Sequence, residues 1–408
     1  MTALKCLHPY PAMIADELAS TLAAQYVSPD NFVVDPFCGT GRTLLAAAEL
    51  GAHCLGVDVN PLAVLVLQAK TQRPDCIGLE KLLGRLQTEG AVADLAAGKN
   101  YDLEPDRKVA WFTASGRREL RTLITLINSE PLNVAELKIA AAVLSATVRD
   151  VSLCRNDQWK LHRVRSESRS RCSRRSSYGI FARRLAGVVA EIRRSPGLSG
   201  SVAAVRGDAR SLSALMARVK GTEAADVVLT SPPYGDSRST VGYGAVSGIC
   251  LGVVRHITGF SDVYVQGGII DRLCLGGAPM KIGPSIRRFW SGSDDRGSVM
   301  RVGSYLSDLE VCGNEIAKAL KPGGFAVFVI SRRRVGGVPL FLDKFLKEIL
   351  TSKGMVLEHS FTRLLEGKRT PSSVDRRARS REGKAATLVA TMSEEIIMAF
   401  RKRALRAR

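Results

Sequence analysis

The stretch NFVVDPFCGTGRTLLAAAELG, residues 31–51, limits the fold more than any other feature of the chain. An apolar run ends at Asp35, a Gly-x-Gly turn follows, and an Ala- and Leu-rich helical pattern runs to Gly51. The next residues, AHCLGVDVNPLAVLVLQAK, repeat the order strand, turn, helix, with Asp58 closing the second strand. Two such units in series make a βαβ start, so a doubly wound α/β architecture with a mostly parallel sheet is expected. Seven strands are predicted, beginning near Phe32, His53, Val202, Asp226, Phe325, Met355 and Glu395.

The sheet pattern is interrupted between the second and third strands. Residues 75–150 show helical periodicity, in CIGLEKLLGRLQ, RRELRTLITLIN and AELKIAAAVLSATVRDV. From Arg155 to Arg194 there are twelve Lys or Arg against three Asp or Glu, interspersed with serine, which reads as a loop or mobile arm. Residues 236–300 are rich in glycine and read as loop with short irregular elements. The expected organisation is a core from 1–61 and 202–408, a helical and basic insertion over 62–201, and a Gly-rich loop region over 236–300.

The net charge of +20 over 408 residues brings strong self-repulsion, which is ordinarily tolerated when the partner is a polyanion; nucleic acid is the leading candidate. No stretch reaches 18 uncharged apolar residues, and MTALKCLHPYPAMI lacks a basic region followed by an apolar one. A membrane partner is therefore not expected, and a cytoplasmic protein associated with the nucleoid through DNA is. Nine cysteines without a C-x-x-C pair indicate neither a disulfide framework nor a zinc site.

Two constellations carry chemistry. In DPFCGTG, Gly39 and Gly41 allow a ligand close to the backbone at the start of a helix, and Asp58 at the end of the next strand is placed to accept ribose hydroxyl hydrogen bonds. Thr43 and Leu44 after Arg42 leave the G-x-G-x-x-G dinucleotide pattern incomplete, which favours a smaller nucleoside ligand. In TSPPYG, Pro232 and Pro233 stiffen an elbow after an apolar strand. Ser231 Oγ and the Pro232 carbonyl are placed to accept the hydrogens of an exocyclic base amine, and Tyr234 to stack on the base.

HPYPAMI, DPFCGTG, VDVNP, TSPPYG and LKPGGFAVFVI, in that order, closely resemble the amino-type DNA methyltransferases that use S-adenosylmethionine, and S-P-P-Y resembles their N4-cytosine branch. The resemblance spans residues 8–61 and, in outline, 202–400. It implies a Rossmann-like methyltransferase fold, a flipped-out target cytosine in a specific DNA sequence, and a place in restriction-modification with a cognate restriction endonuclease as partner. By it Ser231, Pro232, Pro233 and Tyr234 are catalytic. Asp35, Phe37, Gly39, Gly41 and Asp58 fall on the cofactor motif, Tyr10 and Pro11 near the methionine end, and Asp208 near the adenine amine. N6-adenine methylation is the nearest alternative, and a non-catalytic nucleic-acid-binding protein on the same fold is the alternative from another class.

Arg42 stands where the family usually has a small polar residue, which bears on cofactor affinity. Cytosine C5 methylation needs a Pro-Cys nucleophile, which the chain lacks, so Cys38 is expected to pack beneath the cofactor loop and His8 to be structural. DNA contacts are expected from Arg238 and Tyr243 beyond the elbow, and from Arg171, Arg174 and Arg175 in the Arg-Ser segment, where Trp159, His162 and Tyr178 are interleaved.

Overall fold

A computed structural model describes Leu4 and residues 7–87, 100–104, 110–155, 162–164, 176–195, 197–221, 224–235, 242–279, 286, 289, 296–335, 338–364, 373–375, 388–390 and 394–404. The strands are β1 (Phe32–Asp35), β2 (His53–Asp58), β3 (Ser201–Arg206), β4 (Ala225–Thr230), β5 (Leu320–Ile330), β6 (Arg333–Val335), β7 (Val338–Leu340), β8 (Met355–Leu364), β9 (Ser373–Asp375), β10 (Leu388–Ala390) and β11 (Glu394–Lys402). Seven of them form one sheet in the order β3-β2-β1-β4-β5-β11-β8. β1 to β5 pair in parallel and β11 runs antiparallel between β5 and β8. The strand order reverses between β1 and β4, and such a switch point opens a crevice at the carboxyl ends of the strands. Both chemical motifs sit there, DPFCGTG leaving β1 and TSPPYG leaving β4.

The seven predicted strands all occur. At the fifth, pairing jumps from Leu320 opposite Ala225 to Phe325 opposite Val227, so the Lys-Pro-Gly-Gly turn is looped out of register, with Gly323 at φ 82°. Side-chain alternation assigns the two sheet faces. Val33, Val227, Leu229, Val327, Val329 and Ile397 pack under α1 (Asp16–Tyr26) and α2 (Arg42–Glu49). On the other face, Val34, Val228, Ala326, Phe328, Ile396 and Met398 meet the later helices, described below.

After β2, α3 (Pro61–Thr71) is capped by Asn60, whose side chain accepts from the Leu62 N–H with Pro61 at the first helical position. It packs on β2 and β3 as the crossover of the second βαβ unit. The next helices, α4 (Ile77–Gln87), α5 (Ala114–Ser129), α6 (Val134–Val151) and α7 (Ser177–Arg194), share with α3 and with residues 246–274 a second hydrophobic core. α6 starts with a capping box between Asn133 and Glu136.

Two sequence readings are corrected here. The second half of the basic segment is not a loop: α7 buries Phe181, Leu185, Val188, Val189 and Ile192, spaced for one helix face. The arginines on its other face masked that stripe when charge was read over the whole segment. His162 lies in a short bridge between Cys154 and Arg163, and Tyr178 packs half-buried on the helical core; Trp159 is outside the described residues.

The glycine-rich region likewise contains α9 (Tyr243–Val254), buried along most of its length. Gly244 and Gly248 face α10 (Gly267–Leu273), and a Cβ on Gly244 would lie 1.9 Å from the Gly267 carbonyl oxygen. These glycines are spacers that let two helices meet at backbone distance, a use that sequence reading does not separate from a loop. The chain returns to the sheet through α11 (Arg296–Ala319) and α12 (Leu342–Ser352), which with α8 (Leu212–Lys220) cover the second face.

Candidate active site

At the end of β1 the backbone must turn sharply, and Gly39 (φ 50°) and Gly41 (φ 83°) take the left-handed conformations the turn needs. Gly41 caps α2, and a Cβ there would lie 2.2 Å from Leu67 Cδ1, so a side chain would have to displace Leu67 and hold a strained left-handed backbone. The loop is held from below by the buried Lys70, whose ammonium donates to the Thr40 carbonyl at 3.0 Å. Cys38 is buried against Gly56, in keeping with a packing role.

Asp58 receives the Gly39 N–H at 2.9 Å on one oxygen and the Asn60 N–H at 2.8 Å on the other. Each oxygen keeps a lone pair for a ligand hydroxyl. Asn60 in turn donates to the Tyr10 hydroxyl (3.0 Å) and to Ser247 on α9 (2.8 Å), tying the N-terminal HPYPAMI segment to the second strand end. Arg42 reaches the same segment, donating to the Ile14 carbonyl at 2.5 Å and pairing with Asp16 at 3.0 Å. It thus fastens the N-terminus over the glycine loop, which accounts for a large cation at this position. His8 is buried with its Nδ1 2.8 Å from the Pro9 carbonyl, and burial lowers its pKa to about 4, consistent with a neutral structural residue.

Asp35 links the two motifs. Its carboxylate, 2% exposed, accepts from the Phe37 N–H (3.0 Å), the Thr43 hydroxyl (2.5 Å) and the Thr230 hydroxyl (2.5 Å). Thr230 is the residue before Ser231, so one carboxylate fixes the glycine loop against the proline elbow. In the elbow, the Tyr305 hydroxyl donates to the Pro233 carbonyl at 2.6 Å, and the Tyr234 hydroxyl lies 3.2 Å from Ser231 Oγ and 3.4 Å from Glu395 Oε1.

The two motifs line one cavity of about 870 Å³, counted with its open mouth. All eight residues predicted for the cofactor, Tyr10, Pro11, Asp35, Phe37, Gly39, Gly41, Asp58 and Asp208, are in its wall, together with Ser231 and Pro233. Pro232 and Tyr234 are the neighbours of those two elbow residues and are not among the lining residues. Tyr243, predicted among the contacts beside the target base, lines the cavity, its ring centroid 6.2 Å from that of Tyr10. Arg238, Arg171, Arg174 and Arg175 lie outside the described residues.

Sequence reasoning missed one wall, formed by Leu273, Cys274 and Leu275 after α10. It is anchored by Arg210, which grips Asp208 with two nitrogens (2.6 and 2.9 Å), Asp308 at 2.7 Å and the Leu273 carbonyl at 3.1 Å. Asp308, fully buried, also accepts the Gly276 N–H at 2.8 Å. No local signal marks Asp308, which sits a hundred residues away inside a long helix.

Residues 4–69 match the profile of the N6/N4 family described as DNA methylase. The Type II methyltransferase M.MvaI of Kocuria varians is 26% identical over 96% of this chain and 89% of its own length. The Type II methyltransferase M.MjaII of Methanocaldococcus jannaschii is 30% identical over 19% of this chain and 14% of its own. The comparisons support an amino-type DNA methyltransferase. Among solved structures, a SAM-dependent methyltransferase from Methanosarcina mazei covers 98% of this chain and all of its own, at 9% identity and a TM-score of 0.34. The fold assignment rests instead on the strand order given above.

S-adenosylmethionine is the cofactor of such enzymes, and the residues present fit it. Asp58 offers oxygens to the ribose, Phe37, Ala209 and Leu275 offer apolar surface to a base, and the carboxyl groups of Asp35 and Asp58, which pair with no cation in the contacts above, favour a cationic ligand. Burial pushes the Asp58 pKa up to about 6, against the pull of the Asn60 and Gly39 N–H groups. Ribose hydroxyls bind the ionised form, so affinity is full above pH 6 and falls as pH drops below it, by up to about tenfold per unit. Calorimetric titration of S-adenosylmethionine at pH 7.5 and pH 5 is expected to show this, with Asp58→Asn weak and its slope shallower, the remainder belonging to Asp35. An equally steep slope in Asp58→Asn would assign the titration elsewhere.

Proposed function

We propose that the protein is a site-specific DNA methyltransferase that methylates the exocyclic N4 amine of cytosine, working in a restriction-modification system beside a cognate endonuclease. The observation that carries this reading is the single cavity shared by the glycine loop, Asp58 and Ser231. A cofactor held by the loop and an amine held by the elbow meet in one space.

When bound, S-adenosylmethionine supplies an electrophilic methyl group on a sulfonium. The work of the chain is positional. Asp58 and Tyr10 hold the cofactor end of the cavity, and Asp35 keeps the glycine loop and the elbow in register through Thr230. Ser231 Oγ accepts a hydrogen of the amine and draws its lone pair out of conjugation with the ring. With Tyr305 occupying the Pro233 carbonyl, the Pro232 carbonyl serves as the second acceptor. Tyr234 stacks on the extruded base, a contact worth about 1–3 kcal/mol that offsets part of the unstacking cost.

The catalytic core is assigned to 1–61 and 202–408, and the helical and basic insertion over 62–201 to DNA binding or target recognition; its helices pack into one hydrophobic cluster with the 243–274 helices, next to the cavity. Arg171, Arg174, Arg175 and Arg238 are proposed as phosphate or base-flanking contacts. A serine rather than a carboxylate or amide at the head of the elbow favours cytosine over adenine.

The test is to incubate the protein with S-adenosylmethionine and bacterial DNA, digest to nucleosides and identify the product by mass spectrometry. N4-methylcytosine is expected. N6-methyladenine would overturn the base assignment alone, and no modified base would overturn the enzyme reading in favour of a binding scaffold.

A further inference from the structure

We propose that Glu395 is the terminal proton acceptor of the reaction, reached from the substrate amine through the hydroxyls of Ser231 and Tyr234. The inference rests on the methyl-transfer reading above. Glu395 is the second residue of β11, and the five residues after it, Ile396 to Phe400, are all buried and apolar or small. A carboxylate that is 8% exposed at this point of a central strand is costly unless its oxygens are used. Arg363, opposite it on β8, forms an ion pair with one oxygen, its Nε 3.4 Å from Oε2, which takes no hydrogen bond among the described residues. The other, Oε1, is 3.4 Å from the Tyr234 hydroxyl, which is itself 3.2 Å from Ser231 Oγ. The sheet thus presents a chain of three oxygen groups that starts in the reaction cavity and ends on a partly solvated arginine, 33% exposed at its side chain.

An amine nitrogen that has gained a methyl group carries one proton too many. In the proposed step its N–H bond breaks in the same transition state in which the N–CH3 bond forms, and the proton passes to Ser231 Oγ. The Ser231 proton moves to the Tyr234 oxygen, and the Tyr234 proton to Oε1, leaving Glu395 as a neutral carboxylic acid. Both hydroxyls are restored and no electrons are gained or lost; the acid then loses its proton to water at the Arg363 side. Burial and the nearby Glu395 carboxylate push the Tyr234 pKa up, so its hydroxyl passes a proton on without standing as a free phenolate. Burial likewise raises the Glu395 pKa, opposed by Arg363 and by the Tyr234 hydrogen bond. The groups facing Glu395 are Ser231 and Tyr234 from the elbow and Arg363 from β8. The acceptor must be ionised, so the rate falls as pH drops through a value raised above the ordinary glutamate range.

The experiment is single-turnover methyl transfer from labelled S-adenosylmethionine to DNA between pH 5 and pH 8. It compares the wild type with Glu395→Gln, Tyr234→Phe, the double variant and Glu395→Ala. Glu395→Gln keeps the hydrogen bond to Tyr234 but cannot take the proton. It is expected to lose roughly tenfold or more in rate, to keep cofactor binding and KM for DNA, and to lack the acid limb contributed by Glu395. Asp35 and Asp58, with pKa values raised to about 6 by burial, titrate in every variant, so the wild-type minus variant difference isolates Glu395. Tyr234→Phe is expected to lose as much, and the double variant no more than either single one, because the three groups act as a unit. Wild-type rate in Glu395→Gln with loss only in Glu395→Ala would leave Glu395 a positioning residue and overturn the relay, as would losses that multiply in the double variant. A wild type that binds the cofactor yet methylates no base would instead sink the methyl-transfer reading, and the relay with it.

Discussion

Ser231→Ala is expected to fold and bind S-adenosylmethionine like the wild type while transferring methyl groups about 10²–10³-fold more slowly, the usual cost of deleting one preorganised hydrogen-bond partner of the reacting group. Cofactor affinity is spared because the loop, Asp58 and Tyr10 make no hydrogen bond to Ser231; its hydroxyl contacts Tyr234 instead. Tyr234→Ala removes both the stacking face and the bridge to Glu395. It is expected to lose at least as much as the roughly 1–3 kcal/mol that a stacked base contributes. Calorimetric cofactor binding and labelled methyl transfer, with thermal unfolding as the control for folding, separate the two effects. Full activity in both variants would remove the elbow from the mechanism.

Arg210→Met is the substitution expected to cost most in stability. It strands Asp308, which is fully buried and is left with the Gly276 N–H, and it frees Asp208 from a two-nitrogen grip. Breaking a buried pair by removing one partner costs about 3–5 kcal/mol. Arg210 is 23% exposed at its side chain, which places the expectation near the lower end. Urea titration measures it. Since Arg210 also holds the Leu273 carbonyl, the Leu273–Leu275 wall should loosen and cofactor affinity fall in the folded fraction. Adding Asp308→Leu to Arg210→Met should recover part of the stability by removing the stranded charge, whereas simple additivity would show that the two side chains do not depend on each other.

The legible parts of the molecule share a short sequence range. The glycine loop, the Asp58 strand end and the elbow each declare themselves within about six residues, because turn chemistry and strand periodicity are local. All eight residues expected around the cofactor do line one cavity. What misled was composition averaged over a window. Arginines on the outer face of α7 concealed Phe181, Leu185 and Val188, and the glycines of α9 that admit Gly267 at contact distance looked like loop. Tyr243 was accordingly read as part of a loop beyond the elbow, whereas it opens α9 and lines the cavity.

By itself the sequence determined the α/β order, the two turns that leave β1 and β4, and the residue types offered there, since each depends on neighbours along the chain. Only the tertiary structure decided that Asp35 would bind Thr230, 195 residues away, that Arg210 would close a wall made by a later helix, and that a glutamate on a strand near the C-terminus would reach the elbow. Those contacts join segments far apart in sequence, and no local pattern encodes a distance that is set by how a sheet is wound.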